Sequence, residues 1–242
     1  GGHWIKKVIG AGQDLPNTAW GITGIIDFQG VQAKCGDNIV KFQGKDIELY
    51  KPIDFLGGQV FYLFGYRCPV TLDFLDTWGG GNLSLQCHPT VSYNQEVFNC
   101  PTGHYESYYM LDTTENSSVY LGTKDGVKVK DLVEAFKEAQ ITGEFDDEKW
   151  INKLPMKKHD HIFIPSGTIH ASAKDTLVLE INTVWLTTFK LWDWGRIDFD
   201  GKPRPIDIGH GEKNIQERYQ TTFVKDKLVR NILELWSMSL YM

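Results

Sequence analysis

The sequence of 242 residues has few cysteines and no long hydrophobic run. Its four cysteines, Cys35, Cys68, Cys87 and Cys100, include no CxxC pair. A chain of this length can bury a core without disulfides, so we predict reduced thiols and a cytoplasmic protein. No segment reaches the run of about 18 apolar residues that a membrane-spanning helix needs, so we predict no membrane partner.

The sequence also lacks an excess of positive charge. Its 25 lysines and arginines are outnumbered by 31 aspartates and glutamates, which gives a formal net charge of −6. A broad surface for nucleic acid needs an excess of positive charge, so we predict no nucleic-acid partner. A local basic pocket for a phosphate is compatible with this net charge. The chain starts with Gly-Gly instead of Met. This start favours a piece cut from a longer polypeptide over a short form.

What the sequence does have is a series of short runs rich in β-branched and aromatic residues. Gly, Asn, Asp and Pro separate these runs, and this pattern predicts strands joined by turns. The predicted strands are 58–66, 82–88, 106–113, 117–123, 160–166 and 176–194.

One segment has a clear helical pattern. Within 128–140, apolar residues recur at i, i+3, i+4 and i+7, and charged residues fill the other face. A second helix is predicted over 145–154 with Asp146 as its N-cap, and a weaker third helix over 227–240. Together the elements predict a β-barrel or sandwich with a helical insertion.

Four separated polar residues have side chains that suit a divalent metal ion. Gln86 and His88 are two residues apart in LSLQCHPT, so on a strand they share one face. Glu106 lies in GHYESYYML and His170 in IPSGTIHA. Imidazole, carboxylate and amide oxygen suit a borderline ion such as Zn²⁺. If one coordination position is left for water or substrate, such a site is catalytic.

The alternative is an ordinary sheet whose polar residues form hydrogen bonds. A lone histidine on a strand is more often a hydrogen-bonded structural residue than a metal ligand. The turn Pro165-x-Gly167-x-x-His170 favours the metal site. Proline fixes φ and glycine permits a tight bend, so the next strand begins with an inward histidine. This turn resembles the second motif of the cupin barrels, and Gln-x-His with a later Glu resembles their first motif in modified form.

Five segments together resemble the type I mannose-6-phosphate isomerases, in particular the short bacterial forms. They are NLSLQCHPT, GHYESYYMLDT, IFIPSGTIHA, TLVLEIN and TTFKLWDWGR, in this order and at these spacings. The resemblance implies an all-β, cupin-type β-barrel (jelly roll) with a small helical insertion around residues 128–153. It also implies a cupin metal-binding core over 68–242 and an N-terminal β-rich part over 1–67 that packs on the barrel.

The resemblance implies that Gln86, His88, Glu106 and His170 bind one Zn²⁺ per chain. It implies an aldose–ketose isomerase, most simply of mannose 6-phosphate and fructose 6-phosphate, that works through a cis-enediol. In such a reaction the ion stabilises developing charge and a base shuttles a proton. Glu180, in LVLEIN, matches a family glutamate near the metal and is the candidate base. The alternative for Glu180 is a structural role as a hydrogen-bonded carboxylate.

The sequence departs from the family pattern at three positions. His104 stands where a lysine is usual, Leu186 replaces an aspartate, and Lys190 replaces an arginine that is thought to act on proton transfer or the enediolate. Lysine keeps the charge but loses the planar fork. Arg196 matches a basic position and Ser84 a serine of the phosphate side. The resemblance therefore predicts Lys190 and Arg196 as catalytic, and Ser84 and His104 as substrate-binding.

Two hypotheses of different classes follow from these residues. The first is a zinc-dependent sugar phosphate isomerase, with a small-molecule sugar phosphate as partner. The second is a non-catalytic metal-binding cupin that binds a sugar or regulates a partner, and the three departures favour it. Between them lies an enzyme for a different sugar, phosphorylated or not.

Overall fold

Two five-stranded antiparallel sheets form the centre of the protein. The computed structural model describes residues 2–9, 30–35, 38–43, 52–65, 69–183 and 187–232. The strands are β1 Gly30–Cys35, β2 Asn38–Gln43, β3 Val70–Asp76, β4 Leu85–Cys87, β5 Glu106–Thr113, β6 Ser118–Thr123, β7 Ile151–Pro155, β8 Asp160–Ile164, β9 His170–Ser172, β10 Thr176–Thr183, β11 Phe189–Trp192 and β12 Val229–Asn231.

Short helices connect and cover the strands. They are α1 His3–Ile9, α2 Pro52–Leu56, α3 Gly58–Phe64, α4 Val91–Phe98, α5 Val129–Thr142, α6 Asp147–Trp150, α7 Ile208–Asn214 and α8 Thr221–Phe223, and a π-turn, Val224–Leu228, follows α8. Among the described residues, every helix is too short or too polar to span a bilayer.

The two sheets have the strand orders β12-β8-β5-β10-β3, named sheet I, and β11-β4-β9-β6-β7, named sheet II. β1 and β2 form a separate antiparallel hairpin. The prediction of a β-rich architecture with a helical insertion is confirmed, since α5 and α6 interrupt the order of the strands.

Sheet II has apolar residues on both faces. Successive side chains of a strand point to opposite sides, so each face packs in a different cluster. On one face, Leu85 and Cys87 of β4 pack in a buried cluster with Phe136 of α5. On the other, Leu121 of β6 packs in a second buried cluster with Met110 of sheet I. The interior between the two sheets therefore contains the second cluster, while α5 and α7 cover the outer face of sheet II.

The helix predicted over 128–140 is confirmed as α5, and it ends where Gly143 adopts a left-handed φ of 79°. Asp146 is the N-cap of α6, because its side chain accepts a hydrogen bond from the Lys149 amide. The rest of the second predicted helix, which extended to 154, is wrong. Residues 151–155 instead pair with β6 as strand β7.

Two further predictions of elements are wrong. The segment 58–66 is predicted as a strand, but Gly58–Phe64 is helix α3. The prediction fails because a short apolar run without alternation has no periodicity that distinguishes a strand from a helix. The predicted helix 227–240 is not formed at its start, where the π-turn ends and β12 begins. Its residues 233–240 lie outside the described residues. The predicted strand 176–194 contains two strands, β10 and β11, and 184–186 between them are not described.

Cys87 and Cys100 are buried free thiols, in agreement with the prediction for them. Burial raises the pKa of the Cys87 thiol above its ordinary value, so this thiol stays protonated. Cys68 lies outside the described residues.

Candidate metal centre

The interior between the sheets is apolar at one end and polar at the other. On β5, Met110 lies in the apolar cluster and Glu106, at the start of the strand, is buried at the polar end. On β10, which is antiparallel to β5, Val178 lies in the same cluster and Glu180 is buried further along. A cavity of about 240 Å³ opens at this polar end, and Glu106 and Glu180 both line it.

Glu106 is the centre of a buried group of histidines. Its Oε1 lies 2.9 Å from Nε2 of His88 and 3.3 Å from Nε2 of His104. Its Oε2 lies 3.1 Å from Nε2 of His170. The four side chains are 3% exposed or less. Gln86 is half-buried beside them, with its amide nitrogen 3.3 Å from His170 Nε2. The structure therefore brings the four predicted metal ligands together and adds His104.

A tight turn before β9 sets the positions of two of these histidines. Gly167 has a φ of 79°, and a Cβ there would lie 2.4 Å from the Asn214 carbonyl oxygen, so only glycine fits. The Gly167 amide donates a 2.9 Å hydrogen bond to the carbonyl of His88. His170 follows as the first residue of β9, and its Nδ1 lies 2.9 Å from the Thr168 carbonyl oxygen. The predicted inward histidine after this turn is confirmed.

Backbone carbonyls fix which ring nitrogen of each histidine carries hydrogen. The Thr187 carbonyl oxygen lies 3.1 Å from Nδ1 of both His88 and His104. A carbonyl oxygen only accepts, so each Nδ1 donates, and each neutral ring keeps a lone pair on Nε2. Burial lowers the pKa of His88 from 6.5 to about 4, so this ring is neutral at pH 7. Carbonyl partners of this kind orient metal-ligating histidines.

The lone pairs point at a carboxylate. Nε2 of His88, Nε2 of His104 and Oε2 of Glu106 make no hydrogen bond among the described residues. Buried polar atoms without partners are costly, and a cation between them satisfies all three. The donor set of imidazoles, carboxylate and amide therefore fits a divalent ion.

Two further carboxyl groups share the cavity. Asp73 of β3 lies directly opposite Glu180 in the pairing of β3 with β10, and both are buried. Asn182 donates a hydrogen bond to Glu180 Oε1. Burial, with the charges of Glu106 and Asp73, raises the pKa of Glu180 well above its usual value. Burial also raises the pKa of Asp73 from 3.8 to about 6.

We expect Asp73→Asn to stabilise the metal-free protein at high pH. Because the folded state holds the Asp73 proton more tightly than the unfolded chain, ionisation costs stability. The cost begins above pH 3.8 and is complete above about pH 6. Asparagine cannot ionise, so the free energy of unfolding should rise by about 1–3 kcal/mol at pH 8. The rise should be smaller at pH 4.5. Urea unfolding at both pH values measures it, with the exposed Glu115→Gln as control. An equal change at the two pH values would contradict the shift.

The remaining predicted site residues gather around a buried carboxylate. The Ser84 hydroxyl donates a 2.6 Å hydrogen bond to Asp193, and Arg196 forms an ion pair with the same carboxylate. Lys190 Nζ lies 3.6 Å and Arg204 Nη1 3.5 Å from Asp193 Oδ2. Three cations around one carboxylate leave this cluster with a net positive charge. Ser84 also lines the metal-side cavity, so the cluster borders it.

Sequence reasoning missed Asp73 and Asp193. Asp193 was visible within the quoted segment TTFKLWDWGR, but its role depends on partners that only folding brings near. A role of His104 at a substrate phosphate stays a prediction. Leu186, the departure from the family aspartate, lies outside the described residues.

The comparisons with known proteins agree with these motifs. The chain is 31% identical to the mannose-6-phosphate isomerase ManA of Bacillus subtilis over 169 residues, 70% of this chain and 49% of that protein. It is 27% identical to the mannose-6-phosphate isomerase of Streptococcus mutans over 216 residues, 86% of this chain and 61% of that protein. No family model matches the chain.

A crystal structure of the mannose 6-phosphate isomerase from Bacillus subtilis matches the fold. Its TM-score is 0.60 at 25% identity, and the match covers 76% of this chain and 53% of that one. A zinc-bound mannose 6-phosphate isomerase matches with a TM-score of 0.58 at 14% identity, covering 78% of this chain and 63% of that one, and shows the fold alone. The chain spans about half the length of the Bacillus relatives that it matches. Sequence and fold together confirm the resemblance of this chain to the type I mannose-6-phosphate isomerases.

Proposed function

We propose that the protein is a zinc-dependent aldose–ketose isomerase, with mannose 6-phosphate and fructose 6-phosphate as its simplest substrate pair. The observation that carries this proposal is the buried Glu106, which faces the Nε2 atoms of three histidines at the wall of a cavity. The names of the matched relatives support the reaction class.

The proposed architecture is a cupin-type barrel formed by sheets I and II. The apolar cluster that both sheets share supports it, because closure of two sheets around one interior defines such a barrel. Residues 68–242 form the metal-binding core in this proposal, and residues 1–67 pack on it.

The metal ligands of the proposal are Gln86, His88, Glu106 and His170, which hold one Zn²⁺. When bound there, the ion would supply a Lewis acid for the sugar oxygens and for the negative charge that develops on them. The chain keeps its ligands ready for this, because carbonyl oxygens hold the rings of His88 and His170 in one orientation and one tautomer.

Glu180 moves the proton between the two carbons of the substrate. It lines the same cavity as Glu106, and the hydrogen bond from Asn182 fixes its orientation. A carboxyl with a raised pKa takes a carbon-bound proton more readily than an ordinary one, and it gives the proton back on the neighbouring carbon. Tyr108, buried beside it with a raised pKa mainly from burial, stays protonated and can donate to a substrate oxygen.

The positive cluster around Asp193 supplies cations for both ends of the substrate. Lys190 offsets the negative charge of the enediolate, and Arg196 with Ser84 binds the phosphate. The register of β11 and β4 supports this, because Lys190 lies opposite Gln86 and hence beside the metal ligands.

A second candidate is an isomerase of a neutral sugar. The observation that favours it is the pair Asp73 and Glu180, which face each other across β3 and β10 in the cavity. Buried carboxyl groups accept hydrogen bonds from sugar hydroxyls but repel a phosphate that comes near them.

The zinc-loaded full chain tests both candidates. Mannose 6-phosphate and mannose are incubated separately in D₂O, and NMR follows ketose formation and deuterium at C2. Turnover of mannose 6-phosphate supports the first candidate. Turnover of mannose without turnover of mannose 6-phosphate supports the second. If neither ketose nor C2 deuterium forms while zinc is stoichiometric, the protein is not an isomerase of these sugars. Glu106→Gln, which weakens the metal site, is the control.

A further inference from the structure

We propose that His104 is itself a ligand of the metal ion, so that three imidazoles and one carboxylate surround it. This inference rests on the proposed metal centre and places His104 in its ligand shell instead of Gln86. The position is one where the resemblance places a lysine, which as an ammonium cannot coordinate a metal.

The donor atoms are spaced as ligands of one ion. His104 Nε2 lies 3.3 Å from Glu106 Oε1, and His88 Nε2 lies 2.9 Å from the same oxygen. The donor atoms of these three side chains all lie within 4.8 Å of one another. Ligands that each lie about 2.1 Å from one zinc ion are roughly 3 to 3.5 Å apart. His104 Nε2 therefore lies against the same carboxylate oxygen as His88 Nε2, at a spacing that zinc ligands have.

The hydrogen bonds of His104 repeat those of a ligating histidine. Its Nδ1 meets the Thr187 carbonyl at 3.1 Å, the oxygen that also meets Nδ1 of His88 at 3.1 Å. One carbonyl thus sets the same tautomer on two rings, whose centroids are 3.7 Å apart. The Ser166 hydroxyl donates a 2.6 Å hydrogen bond to the His104 carbonyl and fixes its backbone.

Nothing else among the described residues satisfies the Nε2 atom of His104. The ring is 2% exposed and Nε2 makes no hydrogen bond there, although it faces a carboxylate that can only accept. A neutral ring whose lone pair faces a carboxylate is repelled by it, whereas a cation between the two atoms attracts both. Direct metal ligation supplies that cation.

Gln86 is the less well placed donor. Its amide nitrogen lies 3.3 Å from His170 Nε2, and in this orientation it donates toward the lone pair that the metal needs. It must rotate to turn its oxygen to an ion, whereas His104 needs no rotation. With His104 in the shell, Gln86 is available to a substrate hydroxyl in the cavity that both line.

Metal binding tests the role of His104 without reference to turnover. Zn²⁺ affinity of the chelator-stripped full chain is measured by competition, and the Cu²⁺-loaded protein is analysed by pulsed EPR, which counts coordinated imidazoles. We expect three coupled imidazoles in the wild type and two in His104→Gln. The Kd for Zn²⁺ should rise more than about 100-fold, beyond the range of an outer partner of a ligand. His104→Lys should behave like His104→Gln.

The control and the opposing results separate this proposal from the function. His161→Gln changes a half-buried histidine of β8 that lies 3.3 Å from the Ser107 hydroxyl, and it should leave Kd and spectrum unchanged. A wild type with two coupled imidazoles, or a His104→Gln protein with unchanged Kd, overturns the role of His104 and leaves the metal centre standing. A wild type that binds neither ion overturns both.

Discussion

The zinc content of the purified protein should fall from about one ion per chain to none when His170 is replaced by alanine. His170 is fully buried, with Nε2 3.1 Å from Glu106 Oε2 and Nδ1 held by the Thr168 carbonyl. Each ligand supplies one of few bonds to the ion, so the loss of one imidazole should weaken binding enough to release zinc on dialysis. Elemental analysis after dialysis measures the loss.

His161→Ala is the matched control, because it removes a histidine of sheet I that does not contact the Glu106 group in the described structure. It should keep its zinc. Stoichiometric zinc in the double variant His88→Ala, His170→Ala would show that the ion binds elsewhere, and the ligand assignment would have to be abandoned.

The replacement Glu180→Gln should lower kcat by roughly 10²- to 10⁴-fold, the usual contribution of a general base. Glutamine keeps the size of the side chain and an oxygen that accepts the hydrogen bond from Asn182. It cannot take a proton from carbon. Zinc content should stay unchanged, so the loss is separable from loss of the metal. The rate of ketose formation and the exchange of the C2 hydrogen with D₂O should fall together.

Glu138→Gln, on the exposed face of α5, is the control for this change and should leave kcat unaltered. A Glu180→Gln enzyme within about twofold of the wild-type kcat would assign Glu180 to the structural role that its hydrogen bond to Asn182 also allows.

The parts of the fold that the sequence predicts are those with a clear period. The segment 106–113 coincides with β5, and the periodic helix 128–140 with α5. The errors lie in segments where neither the hydrophobic period nor the length distinguishes a helix from a strand. Gly58–Phe64 is apolar without alternation and is a helix, and 151–155 form a strand because β6 offers a partner. Pairing between distant segments decides such cases, and no local pattern records it.

The same distinction holds at the site. His88 and His170 could be predicted as close neighbours because motif spacing and the Gly167 turn determine them. Asp73 could not, since its position opposite Glu180 depends on the register between β3 and β10. The carbonyl of Thr187, which sets two tautomers, has no side-chain signature at all.

The proposed ligands of the metal ion come from both sheets. Glu106 begins β5 of sheet I, whereas His170 begins β9 of sheet II and His88 directly follows β4. An ion held by all three would be a cross-link between the two sheets, and because the unfolded chain does not hold these ligands together, the binding free energy would add to the stability of the fold. Chelation should then release the layers together, and amide hydrogen exchange should accelerate in β5 and β9 at the same metal concentration.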